Sequence, residues 1–212
     1  MAAAIVLASA SPRRKELLER IGFTVKTLPA DISEIPMEGE SADNYVKRMA
    51  RTKTLATVER VQQTLYPKNH VETSRLEGTA RWVLGADTAV VLEDQILGKP
   101  KDPEDAGMML EALSGRMHMV MTGFCLYDMH KNKEGLQAVR TLVQMKKLTH
   151  NEIERYVASG EGLDKSGGYA IQGIGAYIID NINGSYTNVV GLPLAQIVEM
   201  MQEMGADDVL PF

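Results

Sequence analysis

Only one cysteine, Cys125, stands in these 212 residues. That excludes an internal disulfide and a cysteine-built zinc site. The four histidines, His70, His118, His130 and His150, are scattered and show no metal-ligand spacing. No apolar run is long enough to span a bilayer. The chain start lacks the basic flank of a secretory signal, although Ala8-Ser9-Ala10 imitates a cleavage site. There is no surplus of cations. The net charge is -5, which speaks against a protein that coats nucleic acid, so any anion site must be a local cluster. A Walker-type phosphate loop is missing. So is a dinucleotide fingerprint, because Gly173-Ile174-Gly175 is followed by the wrong residue. No nucleophile elbow and no internal repeat occur. These absences lead to the expectation of a soluble, cytoplasmic protein that neither binds nucleic acid nor enters a membrane.

What is present is enough for a core. Hydrophobic residues make up 44% and charged residues 24%, which fits an ordered chain of one domain or two small lobes. The densest signal is at the front. Ala2 to Leu7 reads as a buried strand and small residues follow, then Pro12 and the cations Arg13, Arg14 and Lys15. Leu17, Leu18 and Ile21 sit at helical spacing, so a helix starts near Pro12 with Ser11 as its N-cap. Cations in a first helical turn oppose the helix dipole. A tight turn between strand and helix, with arginines beside it, therefore reads as an anion site. Lys15 reads as an ordinary exposed helix lysine.

The rest of the chain alternates strands and helices. Phe23 to Leu28 is a strand, and 31–40 is an acidic loop with Glu34. Ser41 caps a long helix to about Tyr66, with Val46, Met49, Ala50 and Ala56 on its apolar stripe. Lys53 falls on that stripe. It is either a lysine that snorkels past the core or one aimed into a cleft. Residues 67–79 read as a surface loop insertion. Arg81 to Leu92 is a strand with Asp87 in its middle, where aspartate is disfavoured. That residue is either a bulge or strand-end aspartate bonded to backbone, or a rigidly held ligand or base. Ile96-Leu97 is a short return strand. Asp102 caps a helix to Leu113, Met117 to Tyr127 and Gln137 to Leu148 are strands, and Thr149 with Glu152 forms a capping box. Asn183-Gly184 is expected to turn a hairpin between Ala176–Ile182 and Ser185–Val190. Pro193 opens a last helix, and 206–212 is a tail.

Cations at strand ends or on a core-facing stripe (Arg13, Arg14, Lys53 and Lys99), with the carboxylates Glu34 and Asp87, fit a polyphosphate bound with a divalent metal. The cations neutralise phosphate oxygens; the carboxylates hold the metal or orient a water.

The segments Ser9-Ala10-Ser11-Pro12-Arg13-Arg14, Gly85-Ala86-Asp87-Thr88, Gly98-Lys99-Pro100, Ala170-Ile171-Gln172-Gly173 and Asn188-Val189-Val190-Gly191-Leu192-Pro193-Leu194 stand in one order. Together they resemble the Maf family of nucleoside triphosphate pyrophosphatases, in particular the branch acting on dTTP and UTP. The resemblance covers about residues 4 to 203, and residues 1–205 are taken as a single domain. It implies an α/β fold: a mixed twisted sheet flanked by helices, two lobes around a cleft, similar to the inosine triphosphatase architecture. It implies hydrolysis between the α- and β-phosphates with Mg²⁺ or Mn²⁺, and a homodimer. Asp87 is then the proton acceptor and, with Glu34, a metal ligand. Ser9, Arg13, Arg14, Lys53 and Lys99 hold the triphosphate. Thr88 and Gln172, with Arg13, set substrate choice. A glutamine amide matches the O4 and N3–H edge of uracil or thymine; the alternative is a glutamine bonded to loop backbone. The family's association with septum formation leaves one rival reading, a nucleotide-binding regulator of division without turnover.

Overall fold

The computed structural model describes residues 5–65, 81–207 and 209–212. The 67–79 insertion, and Ala2–Ala4 of the expected first strand, lie outside the described residues. Strand β1 (Ile5–Leu7) is wholly buried. It pairs in parallel with both β2 (Val25–Thr27) and β3 (Trp82–Leu92). A strand between two parallel neighbours is covered on both faces, which is why it reads as an unbroken apolar run. A turn through Glu93 and Asp94 returns β3 antiparallel into β4 (Gln95–Leu97). The sheet continues through β5 (Met117–Asp128), β6 (Lys133–Met145) and β7 (Ile179–Asn183). Its order is β2-β1-β3-β5-β6-β7, with β4 added on β3. Since β6 and β7 run antiparallel, the sheet is mixed, as expected.

The helices are α1 (Pro12–Arg20), α2 (Ala42–Leu65), α3 (Pro103–Leu113), α4 (His150–Ala158), α5 (Tyr186–Val190) and α6 (Leu194–Glu203). Among the described residues no helix is long and apolar enough to cross a membrane. Two compact units divide the chain. The first holds the residues up to Asp87, Gly123–Ala138 and Leu194–Phe212; the second holds Thr88–Thr122 and Val139–Pro193. In the first, Val6, Ala8, Val58, Val61, Val83 and Tyr127 form an apolar cluster. In the second, Leu110, Leu113, Val143, Met145 and Ile178 are fully buried in another. Of the expected tail, Ala206 and Val209 are buried.

Within the first unit, α2 lies unusually close to the sheet, and two glycines allow it. A Cβ on Gly85 would stand 2.3 Å from Thr54 Oγ1 and 2.8 Å from the Ala50 carbonyl. One on Gly123 would stand 2.4 Å from the Val46 carbonyl. Thr54 seals the contact, donating to the Ala50 carbonyl at 2.8 Å and reaching the Cys125 carbonyl at 3.2 Å. The approach places the stripe of α2, Lys53 included, directly against β3.

Asp87 lies inside β3 and not at a strand end. Two expectations need correction. Ser11 stands at the N-cap position of α1 but makes no side-chain cap. Its own N–H turns back to Ser9 Oγ at 3.2 Å instead. No hairpin forms at Asn183-Gly184. Ser185 Oγ accepts the Asn188 N–H at 3.2 Å and starts α5, so a local cap overrides the strand-like composition that follows.

Candidate active site

In the first unit three chain segments meet at Lys53. The α2 stripe delivers the ammonium, β3 delivers Asp87, and the acidic loop after β2 delivers Glu34. Lys53 Nζ lies 2.5 Å from Asp87 Oδ1 and 2.5 Å from Glu34 Oε1. Lys53 is 7% exposed and Asp87 6%, so this pair is taken out of water while Glu34 stays at the rim. From α1, Arg14 Nη1 donates to the Ala86 carbonyl at 2.8 Å and to Ser9 Oγ at 3.1 Å. Ser9 thus ties the turn to the arginine, and the arginine ties α1 to the strand residue before Asp87. Arg13 sits next to it, half-buried, without an ion pair or hydrogen bond among the described residues. Lys15 instead pairs with Glu19 at 3.6 Å on the surface, as an ordinary helix lysine does.

Electrostatics follow from this packing. Burial pushes the Asp87 carboxyl above its ordinary value; Lys53 and Arg14 pull it back, and Glu34 pushes it up again. A carboxylate held against such opposing effects is a better proton acceptor than a solvated one. Desolvation lowers the pKa of Arg14, with Asp87 and Glu34 opposing it. Tyr45 is raised by burial first and then by the same two carboxylates.

The remaining sequence candidates lie in the second unit. Thr88 Oγ1 is 2.9 Å from Thr122 Oγ1, and Thr122 donates its single proton to the Asn188 carbonyl at 3.0 Å. Thr88 is therefore the donor between the two hydroxyls. Ser166 Oγ donates to the Thr88 carbonyl at 3.0 Å. Lys99 is exposed, and the carbonyl of Gly98 before it accepts the Gly167 N–H at 2.9 Å. Gln172 is half-buried, and its amide has no hydrogen-bond partner among the described residues. The alternative of a glutamine spent on loop backbone is not what this segment adopts.

The Maf-like protein family model matches residues 4–204. The chain belongs to the Maf family. Its similar proteins include the dTTP/UTP pyrophosphatase of Citrifermentans bemidjiense, 46% identical over 95% of this chain and 96% of that protein. The dTTP/UTP pyrophosphatase of Geobacter sulfurreducens is 46% identical over 95% and 97%. That of Myxococcus xanthus is 45% identical over 95% and 92%.

For this Maf chain the metal question turns on Glu34 and Asp87. Among the described residues no three histidine, cysteine or acidic side chains gather to hold a metal. Two carboxylates converging on one cation, Lys53 Nζ, do fit Mg²⁺, which takes one or two protein carboxylates and fills its other positions with water and phosphate oxygens. Sequence reasoning missed what holds Glu34. Tyr45 Oη donates to the Glu34 carbonyl at 3.1 Å, and Arg48 Nη2 to the Ile35 carbonyl at 3.1 Å. Arg48 also grips Glu40 bidentately at 2.6 Å on each oxygen. The signal was there as Tyr45 and Arg48, three residues apart on the helix that carries Lys53. Nothing in the sequence said which loop they would fasten.

Proposed function

We propose that this protein hydrolyses dTTP and UTP between the α- and β-phosphates, giving the nucleoside monophosphate and pyrophosphate. The observation that carries the reading is the Glu34–Lys53–Asp87 cluster beside Arg14, on a chain whose similar proteins bear the name dTTP/UTP pyrophosphatase. Ser9, Arg13, Arg14, Lys53 and Lys99 take the triphosphate. Arg13, with no ion pair among the described residues, is available to a phosphate without breaking one. Asp87 accepts the proton of the attacking water as its oxygen bonds to the α-phosphorus and the bridging oxygen leaves with pyrophosphate. The raised pKa of Asp87 suits that task. Glu34 and Asp87 would hold Mg²⁺ or Mn²⁺, which supplies charge neutralisation for the phosphate oxygens. Thr88 and Gln172 read the pyrimidine, the unspent Gln172 amide offering one donor and one acceptor.

The same reading takes the protein as a cytoplasmic homodimer, which light scattering of the purified chain checks. A pyrophosphate-release screen over the canonical nucleoside triphosphates, with and without Mg²⁺, tests the activity. Metal-dependent turnover on dTTP and UTP is expected. Turnover on no nucleotide would leave the regulator reading in its place.

A further inference from the structure

The glycine-rich segment carrying Gln172 is fastened on both sides of that residue by one pair, Tyr156 and Glu161. Tyr156, on α4, is 2% exposed. Its hydroxyl accepts the Ala170 N–H at 3.0 Å and donates to Glu161 Oε2 at 3.0 Å. Glu161, just beyond the end of α4, takes the Ile174 N–H on Oε1 at 2.8 Å and the Gly175 N–H on Oε2 at 2.8 Å. The grip therefore falls two residues before Gln172, and two and three residues after it. Burial pushes the Glu161 carboxyl up, but the two N–H groups and the tyrosine hydroxyl outweigh it and hold the group ionised, below its ordinary value.

No slack remains around the grip. A Cβ on Gly173 would stand 2.1 Å from Glu161 Oε1, and this glycine has φ +69°. A Cβ on Gly175 would stand 2.2 Å from the Ala170 carbonyl and 2.9 Å from Tyr156 Oη. The Lys165 ammonium bonds the Glu161 carbonyl and closes the near side of the loop. The backbone of 170–175 is thus held by the half-buried Glu161 carboxylate and by glycine contacts, whereas the Gln172 amide has no partner among the described residues. A fixed backbone under an unspent amide is a prepared hydrogen-bonding edge.

We infer that Tyr156 and Glu161 are positioning residues for base binding, fixing the backbone from which the Gln172 amide meets the pyrimidine. The inference rests on the reading of Gln172 as the residue that meets the base. An amide turns to suit the edge it meets, so what a held backbone contributes is a donor and an acceptor already in reach, which strengthens binding and leaves the chemical step alone.

The test measures kcat and KM for UTP on Glu161→Gln, Tyr156→Phe and Gln172→Ala, with hydrogen exchange at residues 170–175 as the structural readout. Tyr156→Phe keeps the test open should Glu161→Gln fail to fold. Each clamp variant is expected to speed exchange at Ile174 or Ala170. Each should keep kcat within about threefold and raise KM about tenfold. Gln172→Ala should raise KM as well. If Gln172→Ala raises KM while the clamp variants exchange faster and keep it, the positioning inference is overturned and the reading of Gln172 stands. If Gln172→Ala leaves KM intact, the reading of Gln172 falls and takes the inference with it.

Discussion

Lys53 carries one positive charge against two carboxylates, and most of the chemistry argued for Asp87 depends on that arithmetic. Burial and Glu34 raise the Asp87 pKa, while Lys53 and Arg14 lower it. Replacing Lys53 by Met removes the nearest of the opposing charges. The Asp87 pKa should rise further, and the acid limb of kcat/KM for UTP should move to higher pH. At neutral pH the loss should be on the order of a hundredfold, since one of the charges proposed to meet the phosphates is gone. A pH profile in which the rate falls but the limb stays put would mean that Asp87 is not the group titrating. At this scale the sequence was informative about residue types and silent about partners. An aspartate inside an apolar run and a lysine on an apolar stripe both announced themselves. That they belong to each other is a contact across 34 positions, which no local pattern encodes.

At the scale of elements, the site exists because α2 can approach β3. Gly85 and Gly123 stand where any side chain would meet the helix backbone. Gly85→Ala should therefore overpack the interface, lowering stability by about 1–3 kcal/mol. It should also push Lys53 away from Asp87 and reduce kcat. Urea denaturation and turnover on UTP measure the two effects; an unchanged midpoint would contradict the close packing. Strands and capped helices were legible because their cues are local: Asp102 accepts the Asp105 N–H at 2.8 Å, and Thr149 with Glu152 closes a capping box. The segment after Asn183-Gly184 was misread because valine and threonine favour strands, while one Ser185 hydroxyl decides the first turn of α5. The grip of Tyr156 and Glu161 on 170–175 was illegible for another reason. It joins backbone N–H groups, which carry no sequence signature.

For the whole molecule, acid stability has a specific weak point in the second unit. His118 is 3% exposed, and its Nε2 lies 2.6 Å from Tyr169 Oη. Burial takes its pKa from 6.5 to about 4. The unfolded chain therefore binds a proton near 6.5 that the folded one refuses until about 4. The neutral imidazole's contribution is complete above the upper value and is lost as pH falls toward the lower one. The full loss is on the order of 3 kcal/mol. Urea midpoints at about pH 7 and pH 5 should differ more for the wild type than for His118→Gln, which has no such proton to bind. Equal differences would remove His118 from the account. The resemblance carried by five short motifs extended over nearly the whole chain, and the mixed sheet followed it.

Pyrophosphate release from UTP by Asp87→Asn, with Mg²⁺ present, tests the proposed role of Asp87 most directly. The substitution keeps size and shape but removes the proposed proton acceptor and one of the two carboxylates at Lys53. The variant should melt like the wild type and turn over at least about a thousandfold more slowly. A folded Asp87→Asn protein that released pyrophosphate at close to the wild-type rate would contradict the assignment of the chemistry to this residue.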